Sequence, residues 1–371
     1  MFITGFGYTK AWVLCGFLWV VVLVACSAAP CRTRAAAAAG RSVLTDAVGH
    51  QAAVPAEVKR IGCLYAFTGH VTAMLGRADA VVAVSNGLRR DVLLTDMYPA
   101  FQRALVPKFQ GAINIEELVK TEPDIVFIAA ETARNDAERA KLDAFGLTWL
   151  AVGFHSMDEQ QQAVRLIGAA LGRSDRAQAY IDYYQSCIRR VRQAVRDIAP
   201  DKRIRLYHTT NEPTRIATKN SLPADWMRVA GVVNVGLSQQ GRLLEGRQHV
   251  GIEQVLVWNP DVIVANEPGV ADHIMGNPQW SSVAAVQGRR VYQMPIGISR
   301  WGHPGSLETP LAVLWTAKTV YPQQLADVDI RAEMRYFYTT FFSYNLSEDM
   351  IEHIVSGRGM RLTKSRKRRQ D

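Results

Sequence analysis

One pattern occurs twice in this sequence: Asn114-Ile-Glu-Glu-Leu-Val-Lys-Thr-Glu-Pro-Asp-Ile-Val-Phe-Ile128 and, 137 positions later, Gly251-Ile-Glu-Gln-Val-Leu-Val-Trp-Asn-Pro-Asp-Val-Ile-Val-Ala265. Each copy begins with a short helical segment whose first residues include Ile-Glu. A Pro-Asp pair follows this segment, and each copy ends in an apolar strand. A match in register over this length indicates an internal duplication. The sequence therefore predicts two similar lobes.

Short β-branched runs alternate with helical stretches on both sides of each copy. They predict strands at 60–64, 79–84, 124–128 and 148–152 in the first lobe, and at 204–207, 232–235, 261–264 and 290–293 in the second. A helix that begins with Thr68 as its cap and ends at Gly76 follows the first strand. Apolar runs separated by helices are typical of buried parallel strands, so each lobe is expected to be an α/β unit.

A long helical region separates the two lobes. Between Met157 and Ala199 apolar residues recur at spacings of three and four, and Gly and Pro are almost absent after Gly172. A continuous helix from Ser174 to Ile198 would span about 40 Å at 1.5 Å per residue, which is longer than a crossover connection needs. The sequence therefore predicts two lobes with parallel-type sheets, joined by one long α-helix, with a ligand cleft between them.

The amino-terminal residues have the pattern of an export signal. Lys10 precedes the uncharged run Ala11 to Ala25, which is short for a transmembrane span. Small residues follow, including the Ala-rich stretch Ala35 to Ala39. The rest of the chain is therefore expected to work outside the cytoplasm, either after cleavage of the signal or behind an uncleaved anchor that extends to about Pro30.

Composition and charge exclude several classes of protein. With 48% apolar and 21% charged residues the chain is globular rather than disordered. The formal charge of +9 is mostly terminal: residues 358–371 hold seven basic residues against Asp371, while residues 26–357 have a net charge of only +2. A basic tail on a nearly neutral body argues against binding to nucleic acid. An aromatic-rich helical extension at 327–357 precedes this tail and is expected to pack on the second lobe, although some of its aromatic side chains could instead reach the cleft or a partner.

Motif searches favour a binding protein over an enzyme. The sequence has no nucleophile elbow, P-loop, His-Glu-x-x-His or dinucleotide-binding fingerprint. Cys15 lies in the predicted signal and Cys26 directly follows it, which leaves Cys31, Cys63 and Cys187. The spacing of these three cysteines fits no zinc motif, and three cysteines allow at most one disulfide. We therefore expect no catalytic residues and no resident cofactor.

The ligand is expected in the cleft, because parallel α/β sheets bind ligands beyond the carboxyl ends of their strands. Residues at these ends include Phe67, Asn86, Glu131, His155, Trp226, Glu267 and Ser299. The preferred ligand-binding candidates are Tyr65, Arg89, Arg90, His208, Arg300, Trp301 and His303. Arginine forks and aromatic faces suit an anionic or flat metal chelate.

Each of these candidates also has a simpler explanation. The run 297–303 could serve only as the entry to a helix with Ser306 or Thr309 as cap and Pro310 in its first turn. His208 and His303 are the candidates for direct contact with a metal, but a single histidine is more often structural. The pair Arg89 and Arg90 could form a solvated turn.

Two α/β lobes joined by one long helix, behind Leu23-Val24-Ala25-Cys26, resemble the lipid-anchored substrate-binding proteins of ABC importers for iron–siderophore, haem and cobalamin. The resemblance covers roughly residues 45–325. It implies lipidation of Cys26 and a monomeric receptor for an iron–siderophore-type chelate, with cobalamin, haem or a nickel chelate as alternatives. By residue-to-residue match it also implies that Glu116 and Glu253 dock on permease arginines, although either glutamate alone could be a helix-start charge.

The predicted organisation has seven segments: a signal peptide at 1–25, a lipidated tether at 26–45, a first lobe at 46–156, a helical linker at 157–200, a second lobe at 201–326, a helical extension at 327–357 and a basic tail at 358–371. Two other classes remain open at this stage. One is a surface lipoprotein without a transport role. The other is a metal enzyme on a duplicated scaffold, against which the scarcity of cysteine argues.

Overall fold

The computed structural model describes residues 41–109, 111–237, 242–244 and 247–362. The predicted signal peptide, Cys26, Cys31 and the tail beyond Leu362 lie outside the described residues. Residues 41–45, predicted as the end of the tether, form a strand instead, because they pair with residues 51–55 in an antiparallel hairpin. No helix within the described ranges is both long enough and apolar enough to cross a bilayer.

The first lobe is a parallel four-stranded sheet with an amino-terminal hairpin. Its sheet order is β4-β3-β7-β8, and a small antiparallel pair, β5 and β6, lies outside it. The strands are β1 (Arg41–Thr45), β2 (Gln51–Pro55), β3 (Ile61–Cys63), β4 (Val81–Val84), β5 (Lys108–Phe109), β6 (Ala112–Ile113), β7 (Ile125–Ala129) and β8 (Trp149–Val152). The helices are α1 (Ala66–Met74), α2 (Val92–Met97), α3 (Ala100–Arg103), α4 (Ile115–Val119), α5 (Ala130–Ala133) and α6 (Asp136–Ala144).

The second lobe has the same topology. Its sheet order, β10-β9-β13-β14, is also all parallel, and β11 pairs with β12 in an antiparallel ribbon. The strands are β9 (Arg205–Thr209), β10 (Val233–Asn234), β11 (Arg242–Leu244), β12 (Arg247–His249), β13 (Val262–Ala265) and β14 (Val291–Gln293). Its helices are α9 (Leu222–Val229), α10 (Ile252–Trp258), α11 (Val270–Gly276), α12 (Ala284–Gln287) and α13 (Thr309–Val320). The predicted fold class is confirmed.

Two helices connect the lobes, namely α7 (Met157–Ala170) and α8 (Ser174–Val195). The 22 residues of α8 span about 33 Å, somewhat less than predicted, because the helix ends before Ile198. Its apolar face, with Tyr180, Tyr184 and Ile188, is buried. This face packs into a core that also contains Phe127 from the first sheet and Val264 from the second.

Each sheet divides its side chains between this shared core and a core of its own. In β7, Phe127 belongs to the shared core and Val126 to a first-lobe core; in β13, Val264 belongs to the shared core and Ile263 to a second-lobe core. This follows from strand geometry, because neighbouring side chains point to opposite faces. Both lobes and the linker therefore form one compact unit.

The duplicated Pro-Asp sequence has a structural role in both lobes. An Asp124 carboxylate oxygen accepts hydrogen bonds from the backbone N–H groups of Lys59 (2.6 Å) and Arg60 (2.8 Å). In the second lobe Asp261 accepts one from the N–H of Arg205 (2.9 Å). Both aspartates thus fix the start of the neighbouring strand. The Arg60 side chain also donates to the carbonyl of Thr121, two residues beyond the end of α4. The Arg205 side chain donates to the carbonyls of Trp258, the last residue of α10, and of Asn259.

The carboxyl-terminal extension forms helices α14 (Ile330–Phe342) and α15 (Glu348–Ser356). The Tyr98 hydroxyl in the first lobe donates to the carbonyl of Phe342 (3.2 Å), whereas the Ile296 N–H in the second lobe donates to the carbonyl of Ile354 (2.9 Å). The extension therefore contacts both lobes rather than the second lobe alone.

Some local predictions were wrong. Helix α1 begins after Tyr65, and the Thr68 hydroxyl lies within its first turn, where it donates to the Tyr65 carbonyl (2.7 Å) instead of capping the helix. Residues 78–80 form a 3₁₀ turn, so the second strand begins at Val81. The sequence left open whether one disulfide forms, and Cys63 and Cys187 are buried free thiols in the structure.

Candidate ligand-binding cleft

The strongest feature of the interlobe region is a carboxylate that contacts arginines from both lobes. Glu267 follows strand β13 of the second lobe. Its carboxylate pairs with Arg300 of the same lobe and lies 3.9 Å from the Arg90 guanidinium of the first lobe. The Arg300 and Arg90 side chains are only 10% and 14% exposed. Two buried cationic groups from opposite lobes therefore converge on one anionic group.

Arg300 is held by a fixed set of partners. Its guanidinium donates to the Glu267 carboxylate and to the Asn211 side-chain oxygen. Asn211 adopts a left-handed conformation (φ 69°) just after strand β9. Burial lowers the pKa of Arg300, while the neighbouring Glu267 carboxylate raises it. A partly desolvated arginine of this kind binds an anion more strongly than an exposed one.

A second buried pair lies next to Arg90. Asp91 contacts the guanidinium of Arg361, and its other carboxylate oxygen lies 3.0 Å from Nε2 of His70 in α1. All three side chains are at most 8% exposed. Burial, and to a smaller extent the charge of Arg90, lower the pKa of Arg361 to about 10. Burial also lowers the pKa of His70 to about 4.

The predicted histidines lie near these groups. His208 at the end of β9 is 1% exposed, and neither of its ring nitrogens has a hydrogen-bond partner among the described residues. Its ring contacts Trp226 edge-on at 5.4 Å, and the Trp226 N–H donates to the carbonyl of Gly302 (3.2 Å). Burial lowers the pKa of His208 to about 4. Burial, followed by the charges of Arg300 and Arg215, lowers the pKa of His303 well below its usual value.

Aromatic side chains form the first-lobe wall of the cleft. The ring of Tyr65 lies 6.2 Å from that of Phe67 and 6.3 Å from that of Phe154. Burial, with a contribution from Glu131, raises the pKa of the Tyr65 hydroxyl. A side-chain carbon added at Gly305 of the second lobe would lie 3.5 Å from that hydroxyl. The two lobes therefore approach each other closely at Tyr65.

Two cavities are lined in part by His155, which follows strand β8. One, of about 470 Å³, opens at the carboxyl ends of β7 and β8 and is lined by Asp46, Glu131, Phe154 and Glu159 among others. The other, of about 380 Å³, lies between His155 of the first lobe and the start of α9. Carboxylates outnumber cationic groups in the first cavity, so it suits an anion less well than the arginine cluster does.

Two of the predicted ligand-binding residues, Arg89 and Trp301, make their contacts away from the arginine cluster. Arg89 donates to the carbonyl of Ala104 within the first lobe. Trp301 is fully buried in the shared core. The structure thus brings together Tyr65, Arg90, His208, Arg300 and His303, whereas Arg89 is hydrogen-bonded within the first lobe and Trp301 is packed in the shared core.

Sequence reasoning missed part of the site. Asn211 and Arg361 were not among the candidates, and Glu267 was noted only for its position after a strand. The strand-end rule could have found Asn211, because it lies two residues beyond β9. No local signal marks Arg361, which is 270 residues from its partner Asp91.

A metal site is not apparent in the part of the chain that the structure describes. No group of three or more His, Cys, Asp or Glu side chains there is arranged to hold a metal ion. His208 and His303 therefore lack the additional protein ligands that a bare cation would require.

The two predicted docking glutamates occupy equivalent places. Glu116 is the second residue of α4 and Glu253 the second residue of α10, and both are exposed. Asn114 caps α4 through its side chain (3.2 Å to the Glu117 N–H), while Gly251 precedes α10 without a side-chain cap. The duplication thus places one exposed carboxylate on each lobe at matching positions.

Comparison with known proteins agrees with this architecture. The chain is 22% identical over 329 residues to the molybdate-binding protein MolA of Haemophilus influenzae, which covers 83% of this chain and 92% of MolA. It is 24% identical over 284 residues to the uncharacterized ABC transporter substrate-binding lipoprotein YvrC of Bacillus subtilis, covering 75% and 85% of the two chains.

Solved structures show the same fold. The structure of MolA bound to molybdate superposes with a TM-score of 0.74 at 21% identity, over 82% of this chain and 99% of that one. The Helicobacter pylori CeuE structure with Ni(II) bound gives a TM-score of 0.69 at 20% identity, over 85% and 99%. The model of a family described as periplasmic binding protein matches residues 61–296. This chain therefore belongs to the periplasmic binding protein family, whose members serve ABC transporters as extracytoplasmic substrate-binding components.

Proposed function

We propose that this protein captures a metal carried as an anion and delivers it to an ABC permease. The observation that carries the proposal is the convergence of Arg90 and Arg300, from opposite lobes, on the Glu267 carboxylate. A ligand with anionic oxygens can take up the same two guanidinium groups in bidentate geometry. Because one arginine comes from each lobe, such a ligand stabilises the closed arrangement of the lobes.

A compact oxyanion is the ligand that the geometry supports best. The lobes already lie close together at Tyr65 and Gly305, which favours a small ligand over a large one. The molybdate bound by MolA belongs to this class. Molybdate presents four oxygens in a small volume, which two arginine forks can engage from opposite sides.

An anionic ferric siderophore, the ligand class predicted from the sequence, is the second candidate. The rings of Tyr65 and Phe154 favour it, since aromatic faces pack against the organic part of a chelate. Iron transport and siderophore specificity rest on this aromatic wall and on the family resemblance. In either case the role is binding and delivery, without a catalytic step.

Membrane attachment through Cys26 and docking through Glu116 and Glu253 complete the proposed role. YvrC, a relative, is named a lipoprotein, and the tetrad Leu23-Val24-Ala25-Cys26 has the matching pattern. Paired carboxylates at equivalent positions suit a two-fold permease and a monomeric receptor, in which each lobe meets one permease subunit.

The test is a binding scan on the purified protein. Isothermal titration with molybdate, tungstate, ferric siderophores, cobalamin and nickel–histidine identifies the ligand class, and native mass spectrometry of protein purified from its own host identifies any ligand already bound. We expect molybdate or tungstate to bind in the micromolar range or tighter. Binding of cobalamin alone, or of none of these compounds, would contradict the anion proposal.

Adjacent arginines provide a matched pair of variants. Arg90→Gln removes a guanidinium from the cleft, and we expect it to weaken anion binding at least tenfold, as about 1.4 kcal/mol of lost interaction would. Arg89→Gln removes the same charge one residue earlier, from a side chain that donates to Ala104. If both variants weakened binding equally, the effect would come from general charge rather than from the cleft site.

A further inference from the structure

The last described residues of the chain cross from one lobe to the other. Gly357 ends helix α15 with φ 68°, and a side-chain carbon there would lie within 3.3 Å of Gln293 and Ile296 in the second lobe. Residues 360–362 then lie beside residues 90–92 of the first lobe. We call residues 357–362 the strap. It is a connection between the lobes in addition to the linker helix α8.

The strap pairs with the first lobe through its backbone. The N–H of Val92 donates to the carbonyl of Met360 (3.2 Å), and the N–H of Leu362 donates to the carbonyl of Arg90 (2.9 Å). The Arg90 side chain also bonds to the strap, since its Nε donates to the carbonyl of Leu362 (2.8 Å). The Met360 side chain is buried in the shared core.

A buried ion pair fixes this pairing. Arg361 contacts Asp91, which also bonds to His70, and the three side chains lie between the strap and helix α1. A buried carboxylate requires partners of this kind, since an unpaired one is strongly disfavoured. Arg361 therefore holds the strap against the residue that follows Arg90.

We propose that the strap holds Arg90 in its ligand-binding position and that Arg361 is the positioning residue of this device. The strap occupies Nε of Arg90, and the terminal Nη2 of the same guanidinium lies 3.9 Å from the Glu267 carboxylate of the other lobe. An arginine free to change rotamer would lose entropy on binding, whereas one already oriented loses less. This inference rests on the proposed function, because it assigns Arg90 to an anionic ligand.

Hydrogen exchange measured on the full chain tests the strap without any ligand. In Arg361→Gln we expect the amides of Val92 and Leu362 to exchange at least tenfold faster, while those of Phe127 and Val264 in the two sheets keep their rates. Arg358→Gln, an exposed position in the same strap, is the matched control and should leave all four amides unchanged. Arg361→Lys keeps the charge beside Asp91 and should restore most of the protection.

Two exchange results would overturn the proposal. Unchanged protection of Val92 and Leu362 in Arg361→Gln would show that Arg361 does not hold the strap. Equal acceleration of all four amides would show that Arg361 contributes only to global stability.

Titration with sodium molybdate tests the positioning of Arg90. We expect Arg361→Gln to weaken binding at least tenfold, with Arg358→Gln binding as the unmodified protein does. A variant with a released strap and undiminished affinity would overturn the positioning role. If the unmodified protein does not bind molybdate, the proposed ligand fails, and the exchange measurement alone decides the strap.

Discussion

His208 shows how burial at a single residue determines the response of the protein to pH. Its ring is 1% exposed, and its folded-state pKa of about 4 lies below the usual 6.5 because burial disfavours the charged form. Between these two values the unfolded chain binds a proton that the folded protein does not. Stability from this residue is therefore complete above about pH 6.5 and is lost progressively as the pH falls to about 4.

As the pH falls from about 6.5 to about 4, we expect protonation of His208 in the unfolded chain to lower the free energy of unfolding by about 3 kcal/mol. Replacement of His208 by Asn should flatten the pH dependence by that amount, as measured by urea denaturation at several pH values. His155→Asn, at an exposed position, is the control. An unchanged slope in the His208 variant would mean that this imidazole does not remain neutral in the folded state.

At the scale of residues, strand-end positions were predictable but their partners were not. Arg90, His208 and Arg300 were identified because they follow predicted strands, and the carboxyl ends of parallel strands share one edge of the sheet. The contact of Arg90 with Glu267 joins residues from different lobes, and no local pattern encodes it. Arg361 was interpreted as part of a solvated basic tail because charge alone does not indicate which arginine is buried.

At the scale of elements, the duplicated segment combines an aspartate that fixes a strand with an exposed glutamate, and the sequence alone could not separate these two features. Asp124 and Asp261 hold the starts of neighbouring strands, while Glu116 and Glu253 at the other end of each copy are exposed. The repeat was visible from the sequence because both lobes need the same strand-fixing contacts. The aspartates can therefore be altered without changing the surfaces that carry the glutamates.

We expect Asp124→Asn to lower the free energy of unfolding by about 1–2 kcal/mol, since Asp124 accepts two backbone hydrogen bonds with a charged oxygen. Asp261→Asn should lower the free energy of unfolding by less. At the start of its neighbouring strand, Asp261 accepts a hydrogen bond from one backbone N–H, that of Arg205, whereas Asp124 accepts two. Chemical denaturation measures both, with the exposed Asp201→Asn as control. A larger loss in the Asp261 variant would contradict this ranking.

Strand positions were predicted well, and helix ends less well. All eight strands of the two sheets lie within two residues of the predicted bounds, because buried β-branched runs are a strong signal. Thr68 was assigned as a helix cap, but the helix begins at Ala66, since side-chain capping is only one of several ways to start a helix. The short antiparallel pairs β5–β6 and β11–β12 carry too few residues for any periodic pattern.

At the scale of the whole molecule, each lobe carries one exposed carboxylate at a matching position, and we propose that both dock on the permease. We expect the double variant Glu116→Lys and Glu253→Lys to abolish uptake of the transported ligand while leaving its affinity for the receptor unchanged, because both side chains lie outside the cleft. Uptake by cells and titration of the purified protein measure the two effects separately.

The matched control reverses two other surface carboxylates, one in each lobe. Glu57→Lys and Asp272→Lys change the net charge by the same amount at exposed positions of the first and second lobes. This control should transport normally. Normal uptake by the Glu116 and Glu253 variant would remove the docking assignment, and loss of uptake in both double variants would reduce it to a general charge effect.

The strap also has a consequence for biosynthesis. Arg90 and Leu362 are joined although 272 positions separate them in the chain. A ribosome completes the first lobe long before it adds the strap, and a chain exported from its amino terminus delivers the two in the same order. A nascent or prematurely terminated chain that lacks the strap therefore also lacks the contact that we propose orients Arg90 for ligand binding.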